Sequence, residues 1–104
     1  MNKHLDDFVK CLNEERYYDA HEVLEFIWFP RRFEDDNEIK LLKGFINAAV
    51  SLELKKRGKE KASQKVWKNY LKYRQLLCQV NSSYLHRYQE ISKYLDNFCY
   101  NSTY

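Results

Sequence analysis

The chain has 104 residues, of which 44% are hydrophobic and 16% aromatic, enough for one domain with a modest core. Two Gly and one Pro leave little turn chemistry, which disfavours a meander of short strands and favours long helices. The formal net charge is only +3, but it is unevenly spread, as described below.

In chain order, Leu5, Phe8, Val9 and Leu12 fall at i, i+3, i+4 and i+7 and predict a first helix over residues 3–13. The short polar stretch Asn13 to Arg16 implies an antiparallel hairpin into a second helix over residues 17–29, limited by Pro30. On that helix His21, Leu24, Glu25 and Trp28 share one stripe, overlapped by Ala20 and Ile27 and widened by Val23 and Phe26. Asp35 with Glu38 resembles a capping box for a third helix over 36–57, whose inner face is Ile39, Leu42, Ile46, Ala49 and Leu52. Gly44 lies well inside this helix, where it costs about 1 kcal/mol relative to Ala. Close approach of another helix, most simply the second, is the expected compensation. Lys55, Lys56 and Arg57 suit a helix C-terminus, and Gly58 suits a left-handed cap. A fourth helix over 59–80 follows the seam Ala62, Val66, Tyr70, Tyr73, Leu77 and Val80. Asn81-Ser82-Ser83 separates it from a fifth over 83–99, faced by Leu85, Tyr88, Ile91, Leu95 and Phe98. The expected fold is all-α, with residues 1–104 forming a single compact domain of four to five antiparallel helices.

No apolar leader opens the chain and no apolar run approaches the roughly 18–20 residues of a membrane span, so a cytoplasmic protein without a membrane partner is expected. Cys11, Cys78 and Cys99 are odd in number and far apart, with no metal-ligand spacing, and read as free thiols in a reducing compartment. Without a secretion signal, the glycosylation patterns at Asn81 and Asn101 read as chance. Charge divides the chain: residues 1–52 carry 7 Lys and Arg against 11 Asp and Glu, while residues 53–104 carry 11 against 4.

The run Tyr18-Asp19-Ala20-His21-Glu22-Val23-Leu24-Glu25, with Trp28 three residues on, resembles the signature of the domain of unknown function 309 family. A second part of that signature, a Gly-Leu-Ile-Gln run followed by small residues and a basic turn ending in Gly, is similar to Gly44-Phe45-Ile46-Asn47-Ala48-Ala49 and then Lys56-Arg57-Gly58. The resemblance spans residues 5 to 66 and implies a small all-α domain with no agreed activity. Asn47 stands where the family has Gln, Glu53 and Leu54 stand where a His is common, and Lys59 stands in place of Asn. A site built on that His is therefore absent or altered here.

The sequence bears on three chemistries: metal binding, acid–base catalysis and nucleic-acid binding. His21-Glu22-Val23-Leu24-Glu25 has part of the zincin frame, but Glu25 takes the place of the second His ligand, and His4 and His86 lie on distant segments. Neither a metal nor another cofactor is expected. His21, Glu22 and Glu25 could instead form an acid–base site, although no phosphate loop, dinucleotide fingerprint or nucleophile constellation accompanies them. The alternative is structural: His21 and Glu25 form a buried pair that meets the Gly44–Ala48 side of the third helix beside Trp28, with Asn47 as a further partner. Lys61, Lys65, Lys68 and Lys72 form a stripe that could follow a phosphate backbone. A solvated helix face explains that stripe more simply, and nucleic acid is the less favoured partner. The reading leans away from an enzyme and toward a helical interaction or scaffold module centred on His21 and Glu25, with a protein partner or a second copy.

Overall fold

A computed structural model of the chain describes residues 1–100, and the side chains of residues 1–98. The Cys99 thiol and the Asn101 pattern lie outside the described residues. The elements of the described chain are all helical: α1 (Asn2–Asn13), α2 (Tyr17–Trp28), a 3₁₀ turn (Phe29–Arg31), α3 (Asn37–Lys56), α4 (Glu60–Arg74), a second 3₁₀ segment (Gln75–Gln79) and α5 (Leu85–Tyr100). No strand occurs among the described residues, and the Cα radius of gyration of 12.7 Å fits one domain of this length. The all-α expectation holds. No helix of the described residues is long and apolar enough to cross a membrane.

The central element is α3, which packs against α2 and against α4. It is buried nearly all round, through Ile39, Leu41, Leu42, Phe45, Ile46, Ala48, Ala49 and Leu52. Its start and stop follow from local chemistry. Asp36 is the N-cap, and its carboxylate accepts from the backbone N–H of Glu38 at 2.7 Å and of Ile39 at 3.4 Å. The capping residue is thus one position later than the expected Asp35, which pairs with Lys40 at 2.7 Å. Glu38, released from a capping box, accepts instead from Ser82 Oγ at 2.7 Å and from the Tyr88 hydroxyl, tying the start of α5 to the start of α3. At the far end Gly58 adopts φ +79°, with Gly58 N–H to Lys55 O at 3.0 Å and Lys59 N–H to Leu54 O at 2.9 Å. This pair of bonds is the Schellman closure expected of that glycine. The same closure ends α1, where Arg16 N–H reaches Cys11 O at 2.8 Å and Glu15 N–H reaches Leu12 O at 3.1 Å. There a glutamate, Glu15, takes the left-handed position at φ 58°.

Two expectations about packing are corrected. Gly44 is buried but faces α4 rather than α2: a Cβ added there would lie 2.7 Å from the Tyr73 Cβ and 3.8 Å from the Tyr70 carbonyl oxygen. The buried seam of α4 is also rotated. Ser63, Trp67 and Tyr70 are buried while Ala62 is exposed. The rotation is possible because Ser63 does not enter the core unpaired. Ser51 Oγ donates to Ser63 O at 2.6 Å, and Ser63 Oγ donates to Ser51 O at 2.8 Å, a reciprocal clasp between α3 and α4. The fourth helix ends at Arg74, and the chain continues in the 3₁₀ segment to a buried Val80. Against it, α5 buries Tyr88, Ile91 and Leu95, with Tyr70 bonding Ser92 and Arg74 pairing with Asp96.

Candidate functional site

The sequence of α2 sorts its residues by angle, at about 100° per residue. Tyr17, Ala20 and Leu24 enter the core, and Val23, Ile27 and Trp28 flank them half-buried. His21 falls at the margin of this face, with 19% of its side chain accessible, and Glu25 one turn on is 44% accessible. Imidazole Nε2 and Glu25 Oε2 are 2.7 Å apart, the pairing expected from their i, i+4 spacing. The other ring nitrogen, Nδ1, is buried and has no hydrogen-bond partner among the described residues. Glu25 is therefore not the buried carboxylate that the shared stripe suggested. It stands at the rim, with 44% of its side chain open to solvent.

Above the pair, the Tyr18 ring lies 5.5 Å from the imidazole, centroid to centroid. A hydrogen bond to Glu22, together with that carboxylate's charge, raises the Tyr18 phenol above its ordinary pKa. Two concavities meet at Tyr18 and His21. One is a cleft of about 280 Å³ between α2 and the end of α3, closed by Val50, Glu53, Leu54 and Arg57. Glu53 and Arg57 are themselves paired at 2.7 Å. The other is a wide groove along the outer side of α2, lined by Glu22, Glu25, Phe26, Phe29 and Pro30 as well as Tyr18 and His21.

Among the described residues the large exposed apolar side chains are Tyr18, 54% exposed, Phe26, 74%, and Phe29, 50%, all of which line the groove, and Phe33, 88%, in the turn beyond it. Phe26, expected to widen the inward surface, lies two residues after Leu24, about 200° round the helix and on the side away from the core. Phe26 stacks on His4 of α1, with centroids 5.8 Å apart and planes 10° from parallel. Pro30 opens the 3₁₀ turn that carries Phe29 outward from the end of α2. Within that turn the Arg32 guanidinium lies 3.6 Å from the Phe29 ring centroid and 4.5 Å from that of Phe33.

The other expected site residues are dispersed. Trp28 meets α3 near Lys43, whose Nζ is 5.8 Å from the indole, while His21 meets α3 near Val50 and Leu54. Residues seven apart on one helix are separated by about 10 Å along its axis, so His21 and Trp28 share a face of α2 without sharing a site. Asn47 lies between these regions, but its amide donates to Lys43 O at 2.8 Å along its own helix and takes no part in the His21 pair. Gly58 shapes the α3–α4 turn and is exposed. Lys61, Lys65, Lys68 and Lys72 all stand exposed along α4. Among the described residues no group of three or more His, Cys, Asp or Glu is arranged to hold a metal ion. Chemically, the groove offers aromatic faces and carboxylate oxygens to a ligand, and the His21–Glu25 pair holds one of those carboxylates in place.

Searches of curated proteins and of solved structures found no match to the chain. Residues 5–66, which run from α1 into α4 and include the whole α2 groove, match the family model described as a domain of unknown function, DUF309, and the chain belongs to that family.

Proposed function

We propose that this protein is a helical interaction module that docks a partner protein on the outer face of α2 and the turn that follows it. The observation that carries this reading is the clustering of Tyr18, Phe26, Phe29 and Phe33, all at least half exposed, within one segment of sixteen residues. Exposed apolar residues scattered singly need no explanation, but a contiguous set rimmed by polar groups marks a contact surface. The carboxylates of Glu22 and Glu25 supply that rim, and the α1–α2–α3 packing beneath supplies a rigid base. In this reading His21 and Glu25 hold the groove wall rather than perform chemistry. The reading sets the protein in the cytoplasm, supported by the free thiols of Cys11 and Cys78.

The test places a photo-crosslinking amino acid in cells at Phe26 or Phe33, and separately at Gln64 and Lys68 on exposed α4. The adduct is identified by mass spectrometry and the complex rebuilt from purified proteins. The reading expects one adduct shared by Phe26 and Phe33, absent from the α4 positions, whose affinity falls when Phe26 becomes Ala. A nucleic-acid adduct at Lys68 would move the function to the lysine stripe. Turnover of a small substrate lost in His21→Gln would move it to acid–base chemistry.

A further inference from the structure

Resting on that docking reading, we propose that the α2 groove recognises a cationic side chain, arginine in preference to lysine, presented by the partner's docking segment. None of the groove's lining residues is Lys or Arg, while Glu22, Glu25, Phe26 and Phe29 all contribute to it. Aromatic faces attract cations through the ring quadrupole, and carboxylates attract them through charge, so the two kinds of wall select the same ligand. Glu25 is already steadied by His21 at 2.7 Å and keeps an oxygen for a further donor, while Glu22 stands exposed beside it. The chain's own Arg32, outside the lining, covers one face of Phe29, so a ring of this groove accepts a guanidinium, and Phe26 with Glu22 and Glu25 is the part left for the partner's. Arg32 lies over Phe29 at 3.6 Å and fixes itself with a bond from Nη1 to the Phe29 carbonyl at 2.6 Å. A flat guanidinium can stack on a ring while bonding a carboxylate in two places, which an ammonium cannot, and this favours arginine.

The test uses a bead library of nine-residue peptides randomised around a fixed central arginine, beside the same library with central citrulline, the uncharged isostere. Fluorescent full-length protein is the probe, and hits are resynthesised for anisotropy titrations. Hits should arise from the arginine library, and citrulline should weaken each by about tenfold or more. Glu22→Gln combined with Glu25→Gln should weaken them to a similar degree, Phe26→Ala should weaken them several-fold, and lysine at the centre should bind between arginine and citrulline. These are rim substitutions, and circular dichroism verifies that the helices remain. If citrulline binds as well as arginine while Phe26→Ala still weakens binding, the cation claim fails and the docking face stands. If Phe26→Ala has no effect, both fail, and the absence of hits from either library likewise overturns the inference. Sedimentation of the protein alone should show no self-association. Association that Glu22→Gln weakens would give the groove to lysines of a second copy and overturn the assignment to a partner.

Discussion

Replacing Gly44 by alanine sets two opposed effects against each other at one atom. In a helix interior the substitution should stabilise by about 1 kcal/mol through propensity alone. Against this, the new Cβ would sit 2.7 Å from the Tyr73 Cβ, whereas carbon atoms prefer about 3.5–4.0 Å. The obstructing atom is the root of a side chain and not its flexible end, so no rotamer change relieves the contact and α4 itself must move. The Ser51–Ser63 clasp and the Tyr70–Ser92 bond hold α4 from both sides. Overpacking of this kind costs about 1–3 kcal/mol, so Gly44→Ala should be net destabilising by about 1 kcal/mol, and Gly44→Val by more. Urea melts would read this as a lower midpoint at unchanged slope. The partner substitution sharpens the test. Tyr73→Ala keeps the offending Cβ and should not rescue Gly44→Ala, whereas Tyr73→Gly removes it and should show a favourable coupling in a double-mutant cycle. A Gly44→Ala protein that is more stable than the parent by the full propensity gain would refute the close approach of α3 and α4.

The helix C-termini give a matched pair of expectations: Glu15→Gly should stabilise and Gly58→Ala should destabilise, each by about 1 kcal/mol in thermal or urea melts, because only the left-handed φ is at stake. Nothing lies within 4 Å of a Cβ at Gly58, so its loss would carry no packing term. Ser51→Ala and Ser63→Ala should each cost about 0.5–1.5 kcal/mol and should be non-additive, since the two hydroxyls share one clasp. Burial holds the phenols of Tyr70 and Tyr88 well above their ordinary value of 10.0, and for Tyr88 the bond to Glu38 adds to it. A raised folded pKa means that stability is fully present below about pH 10 and is lost as pH rises beyond it. A titration of tyrosinate absorbance should show two phenols ionising only as the helical signal falls. His21→Ala should destabilise more than Glu25→Ala, the imidazole being the more enclosed partner, and a double mutant should show coupling of about 0.3–0.5 kcal/mol, the range of an exposed i, i+4 pair.

Much of the fold was legible because apolar period alone orients a helix that has one wet side. Leu5, Phe8 and Leu12 of α1, and Tyr88, Ile91 and Leu95 of α5, are buried as their spacing indicates. Legibility failed where a residue's fate depends on a partner distant in sequence. A mid-helix glycine announces a close neighbour but does not name it, and Tyr73 rather than α2 took that place. Ser63 displaced Ala62 from the core because Ser51 waits opposite, twelve positions away, with both a donor and an acceptor. For the candidate site, the His21–Glu25 contact followed from helical spacing. The exposure of Glu25 did not, because a stripe read from sequence has no edge until a neighbouring helix sets its width. The aromatic groove is hidden for a related reason: Phe26 is apolar by type yet lies about 200° from Leu24 on α2, and Phe29 and Phe33 fall beyond the end of that helix, where no period orients them.

The docking face is tested most directly by calorimetric titration of the partner identified by crosslinking at Phe26 into three proteins. These are the parent, Phe26→Ser, and a variant with Lys61, Lys65, Lys68 and Lys72 all changed to Gln. The account predicts that Phe26→Ser weakens binding by about tenfold or more while the four-lysine variant binds as the parent does. The reverse pattern, with binding indifferent to Phe26 and lost with the lysines, would contradict it and place the partner on α4.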